Sequence, residues 1–66
     1  MAPAEIYQGG NLIHTIGEGD THIGKLNGEL VSIEGANYGF LIDGTLIKPE
    51  SSITLDTGEI FVATEI

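Results

Sequence analysis

Phe40-Leu41-Ile42-Asp43-Gly44-Thr45-Leu46-Ile47 sets a turn dipeptide between two short apolar runs, and its reading decides the fold. Asp-Gly readily takes positive φ at both central positions, as a two-residue type I′ hairpin corner requires, and Leu, Ile and Phe suit a pleated, half-buried surface. The same arrangement recurs at Asn27-Gly28-Glu29-Leu30 and at Thr57-Gly58-Glu59-Ile60. These corners predict an all-β chain, either a small antiparallel barrel or a meander of successive hairpins. Residues 22–26 and 29–34 flank the first corner, 38–42 and 45–48 the second, and 52–55 and 59–64 the third. Pro49-Glu50-Ser51 interrupts the pattern before the last hairpin. No stretch carries the 3.6-residue periodicity of a long helix. Glycines 28, 44 and 58 lie 16 and then 14 residues apart, too irregular a spacing for a β-solenoid.

Upstream of the hairpins, Leu12-Ile13-His14-Thr15-Ile16 reads as a strand and Gly17-Glu18-Gly19-Asp20 as a loop. Gly9-Gly10 can break or swivel the backbone. The organisation expected is therefore an extended N-terminal arm over residues 1–10, followed by one small β-domain over 11–66.

Directly opposed residues of a hairpin share a face, so each corner predicts which side chains lie together. Around Thr57-Gly58, Leu55 is expected opposite Ile60 and Ile53 opposite Val62, with Ser52, Thr54, Phe61 and Ala63 on the other face. Around Asp43-Gly44, Ile42 pairs with Thr45 and Phe40 with Ile47 on one face, and Leu41 with Leu46 on the other. That hairpin is apolar on both faces, so Leu41 and Leu46 call for cover by a loop, the arm or another chain.

A chain of 66 residues buries only about 60% of the surface its unfolded form exposes, so it gains from reinforcement. With no cysteine and two histidines, neither a disulfide nor a structural zinc site supplies it. Charged residues make up only 18% of the chain against 41% apolar ones, which favours cover by another chain. A homo-oligomer is expected.

The net charge of −8 sets ten acids against Lys25 and Lys48. Two cations cannot supply the phosphate contacts of a nucleic-acid binder, and anionic membranes are disfavoured for the same reason. Met1-Ala2-Pro3-Ala4-Glu5 lacks the basic and apolar regions of a secretion signal, and no apolar run approaches the ~20 residues of a membrane span. A soluble chain without a signal peptide is expected.

Gly19-Asp20-Thr21-His22-Ile23-Gly24-Lys25-Leu26 matches the G-x-x-x-x-G-K part of a phosphate-binding loop but fails on chemistry. Leu26 stands where magnesium needs a hydroxyl, Asp20 would oppose phosphate, and a hairpin corner follows where a helix should. Glu18 and Asp20 lack the spacing of a calcium loop. His14, His22 and the serines form no recognisable triad. No catalytic, cofactor-binding or metal-ligating residue is expected, and the chain reads as a non-enzyme.

The acids fit two readings. Single carboxylates at turns and strand ends keep sheet edges soluble. Alternatively they imitate nucleic-acid phosphates, making the chain an acidic inhibitor that blocks a basic cleft of a nucleic-acid enzyme.

The arm carries the positive hypothesis. Ala2-Pro3-Ala4-Glu5-Ile6-Tyr7-Gln8 is extended by Pro3, rich in strand-favouring residues, and set off by Gly9-Gly10, so it could add a strand to a partner's sheet, with Ile6 and Tyr7 on opposite faces. An N-terminal arm ahead of a compact, cysteine-free, acidic β-module resembles the small decoration or cement proteins of tailed bacteriophage heads. The resemblance covers residues 2–8 and 12–64 as layout, with no diagnostic motif. It implies a virion-structural protein on the outside of a capsid, often trimeric; otherwise the chain is expected in the cytoplasm. The partner-binding residues expected are Ile6, Tyr7, Leu41, Leu46 and Phe61, since large apolar groups dominate interface energetics.

Overall fold

A computed structural model describes residues 2–64, and among them the chain is all-β. The strands in order are β1 (Ala4–Gln8), β2 (Asn11–Ile16), β3 (Thr21–Leu26), β4 (Glu29–Ala36), β5 (Gly39–Ile42), β6 (Thr45–Ile47), β7 (Ser52–Thr54) and β8 (Ile60–Ala63). They form two four-stranded antiparallel sheets, of order β2-β1-β8-β7 (sheet A) and β3-β4-β5-β6 (sheet B). The hairpins follow one another as a meander, and the sheets do not close into a barrel.

Sheet B follows the corners directly. Asn27 and Gly28 have φ of 53° and 81°, and Asp43 and Gly44 have 47° and 86°, so both dipeptides adopt the double positive-φ corner. The register places Leu26 opposite Glu29, Ile42 opposite Thr45, Leu41 opposite Leu46 and Phe40 opposite Ile47, as the sequence predicts.

Sheet A departs from expectation twice. First, residues 4–8 are not an arm released from the domain. They form β1, an inner strand of sheet A, paired with β2 on one side and β8 on the other. Gly9 and Gly10, with φ of 60° and 83°, are a further two-residue hairpin corner that sets Gln8 opposite Asn11. Two adjacent glycines suit a swivel and a corner equally, and the partner that decides between them is β8, more than 50 residues away in sequence. The division into an arm over 1–10 and a domain over 11–66 is therefore replaced by one fold that includes Pro3 to Gln8.

Second, the Thr57-Gly58 corner is longer than two residues. Leu55 donates its N–H to the carbonyl of Glu59, and Gly58 donates to the carbonyl of Leu55, making a three-residue loop with only Gly58 at positive φ. Thr57 is β-branched and disfavours the positive φ that a two-residue corner would impose on it. The register consequently slips by one: Ile53 faces Phe61, Thr54 faces Ile60 and Ser52 faces Val62. A one-residue slip exchanges the faces of β8 relative to β7. Phe61 and Ala63 point into the core, and Ile60 and Val62 point outward, the reverse of the expected assignment.

The core lies between the sheets. Ala4, Ile6, Ile16, Phe61 and Ala63 come from sheet A, Val31, Ile33, Phe40 and Ile42 from sheet B, and Leu55 from the last loop. The rings of Phe40 and Phe61 meet across the sheets with centroids 5.8 Å apart, a separation at which tilted aromatic pairs attract. Three carboxylates fasten the loops. Asp56 accepts the N–H groups of Asn27 and Gly28 at 2.9 and 2.8 Å, joining the last loop to the first corner of sheet B. Asp43 accepts Ser32 N–H, and Asp20 accepts Gly17 N–H. The β2–β3 connection also lies against Gly35, where a Cβ would collide with the Gly17 carbonyl oxygen.

Candidate interaction surfaces

Strand alternation sets what sheet A shows to solvent. Along β1, Ala4 and Ile6 are buried, so Glu5 and Tyr7 point outward. The cross-strand register then lays Leu12, Tyr7, Ile60 and Thr54 in one row over the four strands, and Thr15, Glu5, Val62 and Ser52 in the next. Leu12 is 51% and Ile60 37% exposed, and Tyr7 and Val62 are half-buried. Among the described residues of these two rows, the one carboxylate is that of Glu5. It accepts a hydrogen bond from the Tyr7 hydroxyl at 3.2 Å. That bond, some loss of hydration and the nearby negative charge together raise the Tyr7 pKa above the ordinary 10.0.

The outer face of sheet B is mixed. Leu41 and Leu46 are directly paired there, Leu41 half-buried and Leu46 42% exposed. Glu34 stands opposite Leu41 on its other side. Ile23 and Leu30 are exposed further along, interleaved with Ser32 and Lys25. The N-terminal segment does not cover Leu41 and Leu46, because it is part of sheet A.

A third feature lies between the sheets. Where the corners of sheet B approach Ile53 of β7, an open groove of about 570 Å³ exposes inner-face side chains. Leu26, Val31, Ile42, Ile47 and Ile53 make its apolar wall, and Asn27, Glu29, Asp43 and Thr45 its polar margin. Its presence follows from how far one sheet reaches over the other, which local patterning does not encode.

The residues expected to bind partners therefore divide. Tyr7, Leu41 and Leu46 are on outer faces. Ile6 and Phe61, 1% and 0% exposed, are core residues out of reach of any partner of the folded chain. Ile6 is buried because β1 is an inner strand, and Phe61 because of the register slip. Leu12, Ile60 and Val62 were missed for the same two reasons. Reading Gly9-Gly10 as a hairpin corner would have set Leu12 beside Tyr7.

The histidines are separated. His14 is exposed on β2, whereas His22 is half-buried with its ring centroid 5.4 Å from that of Phe61. Among the described residues no three His, Cys, Asp or Glu side chains are grouped to hold a metal ion. The phosphate-loop-like stretch forms a turn and then β3, with no helix after it. No helix among the described residues is long and apolar enough to cross a membrane. No protein-family model matches this chain, and neither a curated protein nor a solved structure matches it.

Proposed function

We propose that this chain is a non-enzymatic assembly module that docks, through the outer face of sheet A, on another protein surface, either a second copy or a larger assembly. The observation that carries this reading is the row Leu12, Tyr7 and Ile60 with Val62 beside it, an apolar stripe in which the Glu5 carboxylate is engaged by the Tyr7 hydroxyl. Contiguous apolar surface on a small chain marks an interaction site. A decoration subunit on a capsid shell, present as a homo-oligomer and most simply a trimer, is the concrete form proposed. Its support is a small acidic β-module with one apolar outer face, and a free arm no longer contributes. The acidic-inhibitor alternative has less support, because Asp56 spends both carboxylate oxygens, and Asp20 one, on backbone N–H groups of their own chain.

The test is the native mass by analytical ultracentrifugation, alone and with candidate assemblies, for the natural chain and for Leu12→Glu/Ile60→Glu. The natural chain is expected to self-associate or co-sediment, and the variant to stay folded and monomeric. Identical sedimentation of the two would remove this face as the contact. Loss of binding on raising salt would instead favour a charge-driven inhibitor.

A further inference from the structure

The groove at the corners of sheet B is independent of the outer face of sheet A and has the make-up of a ligand site. Val31 and Ile42 are nearly buried at its base, and Leu26, Ile47 and Ile53 are only partly covered. Small-molecule and side-chain sites typically enclose about 300–1,000 Å³ with an apolar lining and a few polar groups, and this groove falls within that range. Its walls are strands rather than free loops, and Asp56 holds the Asn27-Gly28 corner at its margin in place. The floor is thus largely pre-formed, which lowers the ordering cost of binding.

Charge selects the occupant. The two ionisable groups lining the groove are Glu29 and Asp43, both exposed, and no cationic side chain lines it. Asp43 gives one carboxylate oxygen to Ser32 N–H and keeps the other. The alternation of the strands directs Lys25 to the opposite face, since its neighbour Leu26 is the one that lines the groove. A net charge of −8 adds a long-range attraction for cations.

We propose that this groove binds a cationic, aliphatic peptide segment of a partner protein. One aliphatic side chain enters between Val31, Ile42, Ile47 and Ile53, and a flanking Arg or Lys meets Glu29 and Asp43. Asn27 and Thr45 can hydrogen-bond the peptide backbone.

The experiment titrates the full chain with three capped hexapeptides, of alternating Arg and Leu, Glu and Leu, and Arg and Ser, and follows backbone and methyl resonances by NMR. The Arg-Leu peptide is expected to bind saturably, shifting the methyls of Val31, Ile42, Ile47 and Ile53, with the Glu-Leu and Arg-Ser peptides much weaker. Glu29→Gln/Asp43→Asn keeps the acceptor for Ser32 N–H and should weaken binding about tenfold, as expected for two partly screened charge pairs. Thr45→Lys should weaken it as well, while Leu12→Glu/Ile60→Glu leaves it intact and so separates this site from the assembly face. No saturable binding at millimolar peptide, equal binding of the Glu-Leu peptide, or shifts confined to sheet A would each overturn the proposal. Arg-Leu binding unchanged in Glu29→Gln/Asp43→Asn would overturn the assignment of the rim.

Discussion

Sheet B and sheet A have the same number of strands and opposite origins. In sheet B, β3 to β6 are consecutive in sequence and in space, each joined to the next by a short connection. In sheet A, the first hairpin of the chain pairs with the last, β1 against β8, across nearly the whole sequence. Local pairing is directed by corner chemistry, whereas pairing between the ends rests on the burial it achieves and on closing a long loop. The stability of sheet A should therefore depend on a few buried side chains, and that of sheet B on its corners.

The largest effect that would break this contrast is deletion of residues 2–8. Removing β1 takes Pro3, Ala4 and Ile6 from the core and unpairs β2 and β8, so the truncated chain is expected to lose dispersed NMR signals and its cooperative unfolding transition. A truncated chain that still folds would mean that β1 is dispensable, as a free arm would be. Next comes Phe61→Ala, expected to cost about 3–5 kcal/mol in urea unfolding. Total stability for a chain of this size is about 3–10 kcal/mol, so that loss is close to unfolding. By contrast Leu46→Ala, on the outer face of sheet B, should cost less than about 1 kcal/mol. Equal losses at the two positions would erase the distinction between core and surface drawn from the register.

A smaller effect sharpens the contrast at the point where the sheets are tied. Asp56→Ala leaves the N–H groups of Asn27 and Gly28 to water and should cost about 1–2 kcal/mol, measured by the same unfolding curves. The smallest concerns Tyr7. In a Tyr38→Phe background, near-ultraviolet titration should show the Tyr7 phenol ionising above the ordinary tyrosine value, and Glu5→Ala should bring it back toward that value. A pKa raised in the folded state means stability that is fully present below the unfolded tyrosine pKa and is lost as pH rises through the folded one. The fold should thus loosen only in strong alkali on this account, and unchanged titration in Glu5→Ala would show that the hydrogen bond does not form.

How much was legible follows the same division. Asn27-Gly28 and Asp43-Gly44 could be read because their own residues determine the corner and the corner determines every pair beyond it. Thr57-Gly58 looked alike, but Thr57 cannot readily share the positive φ, and one extra loop residue moved Phe61 from the predicted outer face to the core. Gly9-Gly10 was compatible with both a swivel and a corner, and only β8 distinguishes them. The Leu41–Leu46 pair was placed correctly on an outer face by register alone. The row Leu12, Tyr7 and Ile60 required two correct registers in sheet A at once, and the groove required the relative reach of two sheets, a property of neither sheet's sequence.

The pairing of β1 with β8 also gives the chain the connectivity of a ring. Pro3 accepts a hydrogen bond from the Thr64 N–H at 2.8 Å, and the Thr64 hydroxyl donates to the carbonyl of Ala2. A short peptide bridge joining Ala2 to Thr64 would close residues 2–64 into a circle without moving either sheet. The circle could then be cut at the exposed Asp43-Gly44 corner, turning β5 and β6 into the new terminal strands. In such a permutant the inner strands of sheet A would become a local hairpin, and the pairing now made across the length of the chain would become its easiest step.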